Sequence, residues 1–246
     1  MPEIRIIFIG HLTAAANAIF NPNGFPGELQ REVTICANRF ALYLHNSSLL
    51  ASAIEKDRSE FLSILSANAN DLESACNSRP ELRVVAYTDG LRHLMIFHSI
   101  LYSLKSFLDV FAILVCRIIN PRTSPTTFGS KKINGKEISG AKLARWVERS
   151  SPASFSKKLQ LKDLVLSHSR DWISDAVGYR DTLAHFGEIK GMEVMSIPGH
   201  AAKPPFDTEN IRLPKLPSGE LLSDYCSELV TKLGIFLDAV IPCRRQ

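Results

Sequence analysis

The chain lacks the patterns that announce most enzyme classes. It has no Gly-rich phosphate loop, no GxSxG elbow, no HExxH and no paired-carboxylate metal motif. P-loop nucleotide hydrolysis, serine hydrolysis and zinc proteolysis are therefore without support, and neither a metal nor another cofactor is expected. The five cysteines, Cys36, Cys76, Cys116, Cys226 and Cys243, are scattered, with no CxxC pair and no Cys/His cluster. That excludes a disulfide framework and a structural zinc site, and it suits reduced, buried thiols in a cytoplasmic protein. A long uncharged apolar run is also missing. Leu94 to Ile119 is rich in Leu, Ile, Phe and Val, but His98, Lys105 and Asp109 interrupt it. A span needs about 18 such residues, so a buried core helix and no membrane partner are expected. At the N-terminus Ala14-Ala15-Ala16-Asn17-Ala18 imitates a cleavage site, yet the apolar run Ile6 to Ile9 is too short for a signal peptide. The expectation there is a short strand or first helix packed on the body.

What is present is a globular composition: 246 residues, 45% of them hydrophobic, with mean hydropathy +0.01. This predicts one large domain, or one domain with appendages. Helical periodicity dominates, so the expected class is all-α: a helical bundle with one long central helix and small irregular or β appendages. Residues 1–246 are read as a single helical domain with an N-terminal helical part (1–80), a core (81–190), and a Pro-rich loop plus C-terminal helix (191–246). Within it, Glu28 to Leu50 and Ser47 to Asn77 read as helix, broken around Asn46–Ser48 or Asn68–Asn70, with Ser78-Arg79-Pro80 as a stop. Glu81 to Asn120 is the longest apolar-periodic segment, bent near Gly90. Residues 121–139 read as a loop with an Asn134-Gly135 turn. Gly140 to Arg149 and Leu159 to His185 are helices, Met192 to Ile197 a short strand, and Ser218 the N-cap of a last helix to Val240.

Four polar residues, His98, Tyr102, Lys105 and Asp109, are spaced 4, 3 and 4 within the apolar segment and so share one helix face. Two readings stand open. Lys105 and Asp109 form an i,i+4 pair on a solvated edge, or Asp109 or Tyr102 reaches across to a functional group and fixes its geometry.

Charge is unevenly spread. Between Arg117 and Arg170 there are twelve basic residues against Glu137, Glu148 and Asp163, a surplus of nine in a chain whose net charge is +4. Lys131, Lys132, Lys136, Lys142, Arg145, Arg149, Lys157 and Lys158 are the candidate RNA contacts, because Lys and Arg displace counterions from phosphates. A solvated basic loop with no ligand is the competing reading. Trp146, Phe128 and Phe155 lie in the same stretch and are candidates either for base stacking or for the core.

Directly after this basic half comes Tyr179-Arg180-Asp181-Thr182-Leu183-Ala184-His185-Phe186-Gly187. Arginine offers a permanent forked donor face to phosphate oxygens, and histidine titrates near neutrality. The two are about 140° apart on an ideal helix, so they converge only if the helix ends near His185 or if a second copy supplies the other half. Gly187 fits such an end. The other histidines, His11, His45, His93, His168 and His200, show no partner pattern and read as structural or surface groups.

An arginine, a polar residue after it, and a histidine five positions on resemble the signature of the HEPN superfamily. The string resembles the end of that family's last core helix, which makes residues 81–190 the HEPN-like core. The resemblance implies an all-helical, usually dimeric protein. Many members are metal-independent ribonucleases of toxin, antiviral and RNA-processing systems, and others have lost catalysis and bind RNA, nucleotide or protein partners. It matches Arg180 and His185 to the catalytic pair and Asp181 to the polar position that orients them. Tyr179, Tyr102, Lys105 and Asp109 are the candidate supporting residues. The implied partners are RNA, a second copy of the chain, and an antitoxin or other protein.

Overall fold

The computed structural model describes residues 27–78, 84–87, 90–202, 204 and 206–240. The element expected before Gly27 and the Arg79-Pro80 stop lie outside the described residues. The fold class is all-α with small β pieces. Helices α1 (Gly27–Ala67) and α2 (Ala69–Ser78) come first, then strand β1 (Val84–Ala86) and helix α3 (Gly90–Ile119). Strands β2 (Lys131–Ile133) and β3 (Lys136–Ile138) precede α4 (Ala141–Ser150) and α5 (Lys158–His168). A π-helical turn, Ser169–Ile173, leads into α6 (Ser174–Phe186). Strand β4 (Ser196–Pro198), two 3-10 turns and α7 (Leu222–Val240) complete the chain.

The two longest helices follow the same rule. Along α1 the buried positions Cys36, Phe40, Tyr43, Ser47, Leu50, Ile54, Asp57, Phe61 and Leu65 advance in steps of four and three. Along α3 they are His93, Phe97, Ile100, Leu104, Phe107 and Phe111, with the same steps. That is the seam pattern of helices packed side by side at a 3.5-residue period. The expected single long helix is thus two, of 41 and 30 residues. By length and composition Leu91–Ile119 would be able to cross a membrane, but 61% of its most apolar window is buried within the chain.

The chain gathers into two compact units. One takes the stretch up to His45, Ile100–Asp181 and the residues from Leu229 on. Its core is an aromatic cluster. Phe40 packs on Phe107 at 5.4 Å, Phe107 stacks on Phe111 at 5.7 Å, and Phe236 of α7 meets Phe111, Phe128 and His168 edge-on. Such pairs contribute about 0.5–1.5 kcal/mol each beyond the area they bury. The other unit takes Asn46–Ser99 and Thr182–Glu228. There Phe61 packs on Tyr87, Phe97 meets Tyr225, and β1 pairs antiparallel with β4.

Several boundaries differ from expectation. No break occurs at Asn46–Ser48, because the Asn46 amide donates to Ser99 Oγ at 2.8 Å and is absorbed by a tertiary contact. The break falls at Asn68, whose side-chain amide donates to the Ile64 carbonyl at 2.8 Å, the local competition that makes asparagine a poor interior helix residue. Gly90 begins a helix instead of bending one. The 121–139 stretch is not all loop: β2 and β3 pair across Asn134 and Gly135, both at positive φ (51° and 80°), as the tight turn of a hairpin demands. The helix expected from Leu159 to His185 is interrupted by the π-helical turn, where Trp172 Nε1 donates to His168 Nδ1 at 3.1 Å. Ser218 does not cap α7, which starts four residues later. It receives the Glu220 N–H at 3.4 Å inside the turn that the Lys215–Leu221 bridge closes.

Candidate functional site

The helix end bearing the motif is built as its sequence suggests. α6 stops at Phe186, and Gly187 follows at φ 72° with its N–H donated to the Leu183 carbonyl at 2.9 Å. A left-handed residue after the last turn is the commonest way to satisfy the final carbonyls. His185 is exposed in that last turn, and Arg180, Asp181 and Tyr179 are half-buried.

Arg180 sits between two partners within its unit. Its Nη1 meets Asp181 Oδ1 at 2.8 Å, and its guanidinium carbon lies 5.4 Å from the centre of the Tyr102 ring. Its Nε is buried and makes no hydrogen bond with the protein. The Asp181 side chain is 48% exposed, so this ion pair is of the surface kind, worth about 0–1 kcal/mol. The aromatic face adds about 0.5–1 kcal/mol and fixes the plane of the guanidinium without using its hydrogen-bonding edge.

The rest of the polar stripe does something else. Lys105 Nζ pairs with Asp109 Oδ2 at 2.5 Å, and Asp109 Oδ1 accepts the Phe128 N–H at 3.0 Å. Asp109 thus latches the chain after α3 and holds Phe128 in the core. Of the proposed supporting residues, Tyr102 touches Arg180, while Lys105 and Asp109 serve this latch.

The basic segment converges. Lys131, Lys132 and Ile133 of β2, Ala141, Ala144, Arg145, Glu148 and Arg149 of α4, and Lys162 and Leu166 of α5 line one cleft of about 370 Å³. The hairpin register fixes the β2 residues, with Lys131 opposite Ile138 and Ile133 opposite Lys136. On α4 the spacing of Ala141, Ala144, Arg145, Glu148 and Arg149 puts them on one face. The small alanines open the space, and the arginines rim it. Lys162 Nζ bonds Glu148 Oε1 at 2.7 Å and holds that carboxyl below its ordinary range. Five cations against one carboxylate leave a local surplus of four. Lys136, Lys142, Lys157 and Lys158 are not part of the lining. Lys142 folds its stem over Gly129. The aromatic residues are excluded from base stacking: Phe128, Phe155 and Trp146 are at most 9% exposed, and the Trp146 indole donates to the Ser124 carbonyl at 2.9 Å.

No protein-family model, curated protein or solved structure matches this chain.

Two features escaped the sequence reading. Lys162 belongs to the cleft, and its place one turn before Leu166 on the face of α5 would have flagged it. The second feature lies in the other unit. Asp57 is fully buried, its Oδ2 is 2.8 Å from Nε2 of the 1%-exposed His93, and its Oδ1 takes Arg92 Nη1 at 3.0 Å. Burial lowers the His93 pKa, although Asp57 and the Ala53 carbonyl oppose the shift. The clue was present in the spacing: Asp57 and His93 both occupy seam positions that should be apolar. Among the described residues no group of three His, Cys, Asp or Glu side chains is placed to hold a metal ion. Cys36, Cys116 and Cys226 are buried free thiols, and burial raises the pKa of each, that of Cys116 to about 11, so none of the three is a nucleophile at neutral pH.

Proposed function

We propose that this chain is a HEPN-type endoribonuclease that acts without a metal, as a toxin or phage-defence effector, with its basic surface holding RNA. One observation carries the reading. Arg180, Asp181 and His185 occupy the last turns of a helix closed by Gly187, with Arg180 seated on Tyr102 and paired only weakly to Asp181. A phosphodiester brings a full negative charge and two non-bridging oxygens. It can displace an exposed carboxylate whose hold is about 0–1 kcal/mol, and it suits a bidentate guanidinium edge.

In the proposed step His185 takes the proton of the 2′-hydroxyl as that oxygen bonds to phosphorus. The bond from phosphorus to the 5′-oxygen breaks, and the leaving oxygen takes a proton from water. Arg180 neutralises the charge that grows on the non-bridging oxygens. Asp181, four residues before His185 on the same face, orients the ring. The products are a 2′,3′-cyclic phosphate and a 5′-hydroxyl. Because Arg180 and His185 point about 140° apart along one helix, the working site is composite, with two copies of the helix end meeting in a homodimer.

A second reading is a non-catalytic module of the same kind that binds RNA, nucleotide or a protein partner such as an antitoxin. The cleft favours it, since its charge surplus owes nothing to Arg180 or His185. The test is cleavage of single-stranded RNA by chelator-treated protein. Wild type should release fragments with cyclic-phosphate ends, and Arg180→Ala or His185→Ala should slow this ~10²–10⁴-fold. No cleavage by wild type, or equal cleavage by the variants, removes the nuclease reading.

A further inference from the structure

The cleft between the hairpin, α4 and α5 differs from a backbone-tracking surface. Its basic side chains do not run as a stripe; they come from three elements and surround one concavity of about 370 Å³. That lies within the ~300–1,000 Å³ of pockets that take small molecules. One side of the lining is apolar, with Ala144 buried at 2%, Leu166 at 9% and Ile133 half-buried. The single carboxylate, Glu148, is already paired with Lys162. Among the described residues no carboxylate lies within ion-pair distance of Lys131, Lys132, Arg145 or Arg149.

Four cations with no carboxylate at ion-pair distance surround a small space, and their mutual repulsion, screened by solvent, eases when anions enter. A single phosphodiester carries one charge and would leave most of that repulsion in place. A chain of adjacent phosphates carries three or four charges within a few ångströms and would relieve it. Arginines at two positions one turn apart add bidentate geometry for phosphate oxygens. The apolar wall suits the flat body to which the phosphates are attached.

We infer that this cleft is a binding site for a nucleoside triphosphate group, carried either by a free nucleotide or by the 5′ end of an RNA chain. The inference rests on the second reading of the function, in which this cleft binds RNA or nucleotide, and none of its residues takes part in the proposed cleavage chemistry. Arg145 and Arg149 grip the phosphates from α4, Lys131 closes the hairpin side, and the Lys162–Glu148 pair sets the far edge.

The experiment is titration of the full chain at fixed ionic strength with inorganic phosphate, inorganic tripolyphosphate, adenosine triphosphate, adenosine, and two otherwise identical RNA decamers ending in 5′-triphosphate or 5′-hydroxyl. Tripolyphosphate and adenosine triphosphate should bind at least ten-fold tighter than inorganic phosphate, and adenosine should not bind measurably. The Arg145→Ala/Arg149→Ala variant should lose this binding at least ten-fold with its melting temperature kept, while Lys56→Ala/Lys190→Ala, remote in sequence from the cleft, should keep it. A decamer preference for 5′-triphosphate assigns the site to an RNA end, and equal decamer affinities with retained nucleotide binding assign it to the free nucleotide. Tripolyphosphate binding no tighter than phosphate overturns the inference, and so does binding that survives the double arginine variant. His185→Ala should bind as wild type does, which separates failure here from failure of the nuclease reading.

Discussion

Asp57 with His93 and Arg92 in one unit, and the cleft of Lys131, Arg145 and Arg149 in the other, are both clusters of charge, yet they are built to opposite ends. In the first, the carboxylate is sealed from water and both its oxygens are taken by the protein. In the second, the cations face an open space with a surplus of four. Charge satisfied internally is part of the fold and has nothing left for a ligand. Charge collected without an ion-pair partner stays available to an anion. Arg180 stands between the two cases, held by a half-exposed carboxylate and a ring face that leaves its hydrogen-bonding edge unused.

The largest effect expected from breaking this contrast is at Asp57. Asp57→Ala strands a buried histidine and an arginine beside a cavity and should cost about 3–5 kcal/mol in denaturant unfolding. Arg145→Ala/Arg149→Ala should leave stability within about 0.5 kcal/mol per residue, since neither supports the core. Equal losses would erase the distinction between the two clusters.

Next in size is Gly187→Ala. It forces a Cβ into the left-handed region at φ 72° and should cost about 1–2 kcal/mol, read as a lowered melting temperature. Nothing crowds a Cβ there, so backbone strain alone sets the loss.

A pH titration sharpens the comparison further. Burial lowers the pKa of both His93 and His168. The unfolded chain therefore binds more protons than the folded one below the ordinary histidine range. The stability they contribute is complete above about pH 6.5 and is lost as pH falls through their depressed folded values. Melting temperature should decline on acidification from pH 7 to 5, and His93→Gln, which keeps a donor toward Asp57, should flatten part of that decline. A melting temperature that rises on acidification would reverse the sign and make His93 a charged partner of Asp57. The smallest effect is at Tyr102→Leu, which removes the ring beneath Arg180 and should cost about 0.5–1 kcal/mol or less.

Helices were legible wherever one period ran long. The end at Gly187, the stop at Ile119 before Pro121 and the Asn134-Gly135 turn each rest on local backbone chemistry that one sequence displays. The seam of α1 was less legible, because Asn46, Ser47 and Asp57 break an apolar pattern and are explained only by Ser99, His93 and Arg92, which lie far off in sequence. The π-helical turn and the Trp172–His168 hydrogen bond across it are not revealed by any periodicity. The excess of basic residues before Arg170 was plain as a count. Its division into five side chains that line a cleft and others that do not follows from the hairpin register and the α4 face, a tertiary fact. Phe128, Phe155 and Trp146 illustrate the same limit: aromatic residues among lysines suggested stacking on bases, but they fill the core.

The most direct measurement is equilibrium binding of a 2′-O-methyl RNA that carries a 5′-triphosphate and cannot undergo 2′-hydroxyl attack, across a salt series. The proteins to compare are wild type, His185→Ala and the triple variant Lys131→Ala/Arg145→Ala/Arg149→Ala. The expected result is that His185→Ala binds as wild type does, while the triple variant binds weakly and its salt slope falls by about 2, near 0.7 for each phosphate that is no longer neutralised. A triple variant that binds with unchanged affinity and slope would contradict the assignment of the cleft charge to a phosphate ligand.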